Sequence, residues 1–227
     1  MPEDVRLTPE LLLRAYAHGL CPMGDDRTGT VRWYSPDPRA HLPLEQFHVP
    51  HNLRRRVQRR EFEVTSDTAF EAVIRACADR DRTWITPRII RAYTRLHDRG
   101  HAHSVECWQE DDLAGGLYGV ALGGAFFGES MFFRVSSASK VALVHLVRQL
   151  RAGGFTLLDT QYSTSHLERF GVVDIPRADY LERLERALAV APTWWPLDAA
   201  EAAALDRPVS EFVETPAAER NEQRPRG

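Results

Sequence analysis

The chain has 227 residues, 43% hydrophobic and 27% charged, with a formal net charge of −3. That length supports one large or two unequal domains with a sizeable core, and no apolar run approaches the ~20 residues of a membrane helix. Met1, Pro2, Glu3 and Asp4 form no basic and apolar leader, and Cys21, Cys77 and Cys107 are odd in number and widely spaced. The expectation is therefore a cytoplasmic protein with reduced thiols and no short-spaced zinc or redox motif.

Charge is unevenly placed. The acids from Asp198 onward outnumber the arginines there and carry the whole −3, so residues 197–227 read as an acidic, flexible tail. Upstream, Lys140 is the one lysine among many arginines.

In chain order, Thr8 followed by Pro9 predicts a helix start, with Leu11, Leu12, Ala15 and Tyr16 inward and Gly19 closing it. From Trp33 to Arg39 the prolines Pro36 and Pro38 forbid helix and favour a rigid extended turn. Arg54, Arg55, Arg56, Arg59 and Arg60 crowd a short helix or loop, where they repel one another unless solvated or facing an anion. Ser66 or Asp67 is the expected cap of a helix carrying Phe70, Val73, Ile74 and Cys77 at helical spacing. Thr86 and Pro87 open another, with Ile89, Ile90, Tyr93 and Leu96 on one stripe and Arg88, Arg91, Arg95 and Arg99 on its flank.

Beyond Gly100 the pattern changes to strands: His103 to Trp108, Leu113 to Val120 after an acidic turn, and Phe126 to Phe133. Ser136, Ser137 and Ser139 precede a helix that Gly153 ends, and a strand follows from Phe155. Helices from about Ser163 to Phe170 and from Ala178 to Val190 complete the ordered part, with Trp194 and Trp195 covering the edge of the core.

Three constellations carry chemistry. Asp159 and Gln161 are two apart on a strand, so alternation predicts that both project from one face. Glu129 sits between the aromatic pairs Phe126, Phe127 and Phe132, Phe133. A carboxylate there must be paired, solvated or used, since an unpaired buried charge costs several kcal/mol, and the wall of a pocket is its expected home. His101 and His103 stand two apart on a strand without a third ligand at suitable spacing, which favours a structural role over a metal site.

The segments Trp33 to Arg39 (WYSPDPR), Thr83 to Thr86 (TWIT), Gly100 to Val105 (GHAHSV), Gly128 to Met131 (GESM) and Asp159 with Gln161 together resemble leucyl/phenylalanyl-tRNA–protein transferases, in order and with spacing preserved from about Leu7 to Val190. The resemblance implies an α+β fold: a small N-terminal domain, here residues 1–62, followed at 63–196 by an acetyltransferase-like (GNAT) domain with a central mixed sheet flanked by helices, using no cofactor and no metal. It implies an enzyme that moves leucine, phenylalanine or methionine from aminoacyl-tRNA to proteins with N-terminal arginine or lysine, creating a signal for degradation.

By the same resemblance, Gln161 accepts a hydrogen bond from the attacking amine while Asp159 orients or polarises it. Glu129 receives the acceptor's cationic N-terminus, Ser130 and Met131 line the substrate site, and Trp84 stacks on the terminal adenosine. Phe126, Phe127 and Phe133 are further candidates for the pocket wall. Met23 stands where relatives commonly carry tryptophan, and Trp33 or Tyr34 is the expected substitute. Phosphates of the tRNA acceptor stem fall to Arg54, Arg55, Arg56, Arg59, Arg60, Arg88 and Arg91. The rival readings are a CoA-dependent acetyltransferase, against which the glycine-free loop Val135 to Ser139 argues, a non-catalytic tRNA- or degron-binding relative, and a peptidoglycan-branching aminoacyltransferase.

Overall fold

The computed structural model describes residues 7–25 and 27–195; the acidic tail lies outside the described residues. Helix α1 (Pro9–Ala17) starts as its sequence predicts, with the Thr8 hydroxyl accepting from the Leu11 N–H and proline in the first turn. A hairpin follows, β1 (Cys21–Gly24) with β2 (Val31–Tyr34), taking Trp33 and Tyr34 into a strand ahead of the expected proline turn.

The remaining strands form one sheet. They are β3 (Arg39–Leu42), β4 (Glu63–Ser66), β5 (Ala102–Gln109), β6 (Asp112–Leu122), β7 (Ala125–Phe133), β8 (Leu157–Gln161) and β9 (Val173–Ile175). Their order is β4-β5-β6-β7-β8-β3-β9, and every pairing is antiparallel except β7 with β8. That parallel pair needs a long crossover, supplied by helix α5 (Ala138–Gly153), which ends at Gly154 in the left-handed conformation. The mixed α+β sheet is thus the expected one. Because β3 lies inside it, a division at residue 62 would cut the sheet, and the extended stretch just before Arg39 separates the N-terminal helix and hairpin better.

Two apolar layers sandwich the sheet. On one side α5 and helix α2 (His51–Gln58), through Leu53 and Val57, pack with Phe126, Leu117 and Leu158. On the other, α1, helices α3 (Phe70–Ala78) and α4 (Pro87–His97) and the C-terminal helix α7 (Arg177–Leu188) pack with Phe127, Tyr118 and Leu157. Phe126 and Phe127 go to opposite layers, as strand alternation requires.

Several local expectations change. Neither Ser66 nor Asp67 caps α3: Ser66 ends β4, and the Asp67 carboxylate accepts instead from the Ser104 N–H, from His103 and from the Trp194 indole. The helix expected over 163–170 shrinks to α6 (Ser165–Glu168), capped by Thr164. Trp194 does cover the core edge, stacked on His103 and Phe126.

Candidate active site

The parallel pairing of β7 with β8 stops early. Register pairs run from Ala125–Leu157 to Phe127–Asp159, while β7 continues to Phe133 along β6 alone. The two strands part beyond that point, and a cavity of about 300 Å³ occupies the opening. Leu42, Leu117, Leu143, Leu146, Leu158 and Met131 make its apolar wall; Glu129, Gln161, Arg80, Trp84, Tyr162 and His166 are among its polar and aromatic lining.

A bulge aims Glu129. In the β6–β7 register Gly119 faces Gly128 and Tyr118 faces Ser130, so Glu129 is the extra residue. A bulge frees one side chain from the alternation of its neighbours. The Glu129 carboxylate accepts hydrogen bonds from the Tyr16 hydroxyl at 2.6 Å, the Tyr93 hydroxyl at 3.2 Å and the Gln161 amide Nε2 at 3.4 Å. Burial, opposed by the tyrosine hydrogen bonds, raises its carboxyl from the ordinary value to about 7. Both tyrosine hydroxyls are in turn pushed well up, first by burial and then by the charge of Glu129.

A second bulge separates Asp159 from Gln161. Ala40 pairs with Gln161 and His41 with Asp159, which leaves Thr160 unpaired, and Gln161 itself has φ of 57°. The expectation that alternation sets both side chains side by side on the cavity therefore fails: Gln161 lines it and Asp159 does not. Asp159, fully buried, holds Arg39 in a two-pronged pair, Nε to Oδ1 at 3.0 Å and Nη2 to Oδ2 at 2.5 Å. It also accepts from the Tyr180 hydroxyl at 2.9 Å and from the Gln161 backbone N–H at 2.8 Å. Burial works against the charge of Arg39, but the Asp159 hydrogen bonds and charge outweigh it and keep the guanidinium protonated. Arg39 Nη1 donates to the Gly19 carbonyl at 3.0 Å, so the same pair ties the end of α1 to the sheet.

The other expected site residues divide. Trp84, Ser130 and Met131 line the cavity with Glu129 and Gln161. Phe126 and Phe127 are buried in the two core layers, because strand alternation turns each away from the opening, and Phe133 is 64% exposed. Trp33 sits on β2 opposite Pro22, half-buried and off the lining, so it supplies no second aromatic face there; Met23 is on the lining. Among the arginines, Arg54, Arg55, Arg59 and Arg60 are exposed on α2 or just after it, Arg56 pairs with Glu61 at 2.8 Å, and Arg88 and Arg91 belong to α4 in the opposite layer. Reading the sequence missed Arg39, Tyr16, Tyr93, Tyr180 and Arg80. The one available signal was Arg39 at the end of the proline-rich turn; Tyr16 and Tyr93 read as ordinary helix stripe. Among the described residues no group of three or more His, Cys, Asp or Glu is placed to hold a metal, and no helix is long and apolar enough to cross a membrane.

An apolar slot beside a hydrogen-bonded carboxylate and amide, opened where parallel strands part, has the chemistry of an acyl-transfer site. The family comparison agrees. Residues 6–37 match the model of the leucyl/phenylalanyl-tRNA protein transferase N-terminal domain, and residues 41–185 match that of leucyl/phenylalanyl-tRNA protein transferase. A leucyl/phenylalanyl-tRNA–protein transferase of Salinibacter ruber is 73% identical over 100% of both chains. That of Gloeobacter violaceus is 56% identical over 82% of this chain and 96% of its own. Among solved structures, that of L-PGS from Bacillus licheniformis aligns with a TM-score of 0.37 at 13% identity, covering 82% of this chain and 63% of its own, which is too low to bear on mechanism. The chain belongs to the leucyl/phenylalanyl-tRNA protein transferase family, and is an aminoacyltransferase.

Proposed function

We propose that this chain takes leucine, phenylalanine or methionine from the ester of aminoacyl-tRNA and joins it to the α-amino group of cytoplasmic proteins that begin with arginine or lysine, marking them for proteolysis. The observation that supports this most is the meeting of Gln161 and Glu129 at 3.4 Å on the wall of an apolar slot. Leu42, Leu117, Leu143, Leu146 and Leu158 give that slot room for a side chain that branches at Cγ or beyond.

The donor is already activated. The nitrogen of the acceptor attacks the ester carbonyl, an amide bond forms, the ester C–O bond breaks, and the ribose oxygen leaves with a proton. An α-amine has an ordinary pKa near ~8, so positioning and a modest acceptor of its proton suffice. Because Gln161 donates its Nε2 to Glu129, its carbonyl oxygen is left to accept from the attacking amine. Glu129 holds the cationic first residue of the acceptor. Asp159 does not reach the cavity and acts through Gln161, fixing its backbone N–H and, with Arg39, the end of β8. Trp84 offers the face on which the terminal adenosine stacks, a contact worth ~1–3 kcal/mol.

The test is transfer of labelled phenylalanine from Phe-tRNA to a peptide that starts with arginine. A Phe-Arg terminus is expected, and the same peptide acetylated at its amine must stay unlabelled. Equal labelling of peptides that begin with alanine or glutamate would remove the assignment of Glu129.

A further inference from the structure

Arg80 lies in the loop between α3 and α4, four residues before Trp84, and both line the cavity. Its Nη2 donates to the Ser130 hydroxyl at 2.7 Å and the Met131 carbonyl at 2.8 Å. Both acceptors are neutral. Among the described residues no carboxylate forms an ion pair with Arg80, its sequence neighbours Asp79 and Asp81 included. The guanidinium is thus anchored by neutral groups, the Cys77 thiol among them, and its charge is left without an anionic partner in the cavity that Trp84 also lines.

Resting on the proposed function, we infer that Arg80 binds the phosphodiester on the 5′ side of the donor's terminal adenosine. The acceptor end brings only positive charge to this cavity, so of the two substrates the donor alone supplies an anion there. An arginine fork matches phosphate in geometry as well as charge, and an aromatic face next to a cation is the usual way of holding a nucleotide by stacking and backbone together. The two anchoring bonds also couple the site: the same residue that takes the phosphate fixes Ser130 and Met131 next to Glu129.

The test compares two stable analogues as inhibitors of transfer from Phe-tRNA to an arginine-initiated peptide. One is phenylalanine joined by an amide to 3′-amino-3′-deoxyadenosine; the other is the same molecule with a 5′-phosphate. Wild type is expected to bind the phosphorylated analogue about tenfold more tightly, the scale of one charge-assisted contact. Arg80→Gln should abolish that preference, and Arg80→Lys should keep part of it. If Arg80→Gln weakens both analogues by the same factor, the residue only braces β7 and the inference is overturned. It is equally overturned if wild type shows no preference or neither analogue inhibits. Absence of transfer from Phe-tRNA itself would instead overturn the reading of function beneath it.

Discussion

At the scale of single residues, Glu129 and Asp159 show two ways of keeping a carboxylate out of water. Asp159 is neutralised by Arg39 and lies off the cavity lining, so Asp159→Asn leaves a buried guanidinium without its partner. Breaking such a pair costs ~3–5 kcal/mol, and thermal melting should show a large loss of stability alongside any loss of activity. Glu129 has only neutral donors and titrates near 7. Below its unfolded value of 4.5 both states carry the proton and the group leaves folding unchanged; between 4.5 and about 7 the unfolded chain ionises while the folded one keeps its proton, so stability falls across that window and stays at the lower level above it. Glu129→Gln should therefore match wild type in stability near pH 4.5 and exceed it at pH 8 by about 3 kcal/mol, measurable by urea titration. Activity runs the other way: kcat/KM for an arginine-initiated peptide should rise through about 7 in wild type as Glu129 ionises, and Glu129→Gln should lose that limb.

At the scale of elements, the bulges in β7 and β8 create the site. Were β7 and β8 regular at these register shifts, Glu129 and Gln161 would keep plain strand alternation, which sets Gln161 on the same face as Asp159. Gly119 marks the first bulge: a Cβ there would stand 2.3 Å from the Phe127 carbonyl oxygen and 2.4 Å from the Phe126 ring. Gly119→Ala should destabilise the fold by about 2 kcal/mol or more through overpacking, with KM for an arginine-initiated peptide raised as Glu129 is re-aimed. These irregularities also explain what sequence reading could and could not see. Long periodic elements such as α4, α5, β5, β6 and β7 were legible because caps, glycine stops and apolar spacing agree in them. The strands β3, β4 and β9 have three or four residues each, too few for alternation to register, and their place in the sheet is set by partners far along the chain. Glu129 was found because a carboxylate among aromatics demands a reason. Arg39 and Arg80 were not singled out, since nothing local distinguishes a working arginine in a chain so rich in them.

At the scale of the whole molecule, one cavity wall carries Trp84, Arg80, Glu129 and Gln161, and the proposed function sets the first two toward the donor and the last two toward the acceptor amine. The tRNA body extends beyond this cavity, and α2 with its exposed arginines packs against α5, whose Leu143 and Leu146 form the slot. If the acceptor stem lies there, replacing Arg54 and Arg55 with glutamine should weaken Phe-tRNA binding and flatten its salt dependence by about 1.5 in log-log slope. An unchanged slope would move the stem to another face, such as that of Arg91 on α4. The central claim is that Gln161, set on the cavity by its bulge, receives the amine in the transfer step. Single-turnover transfer from pre-bound Phe-tRNA to an arginine-initiated peptide tests it most directly. Gln161→Ala is expected to slow that step about a hundredfold while tRNA affinity stays within about twofold. A single-turnover rate equal to that of wild type would contradict the account.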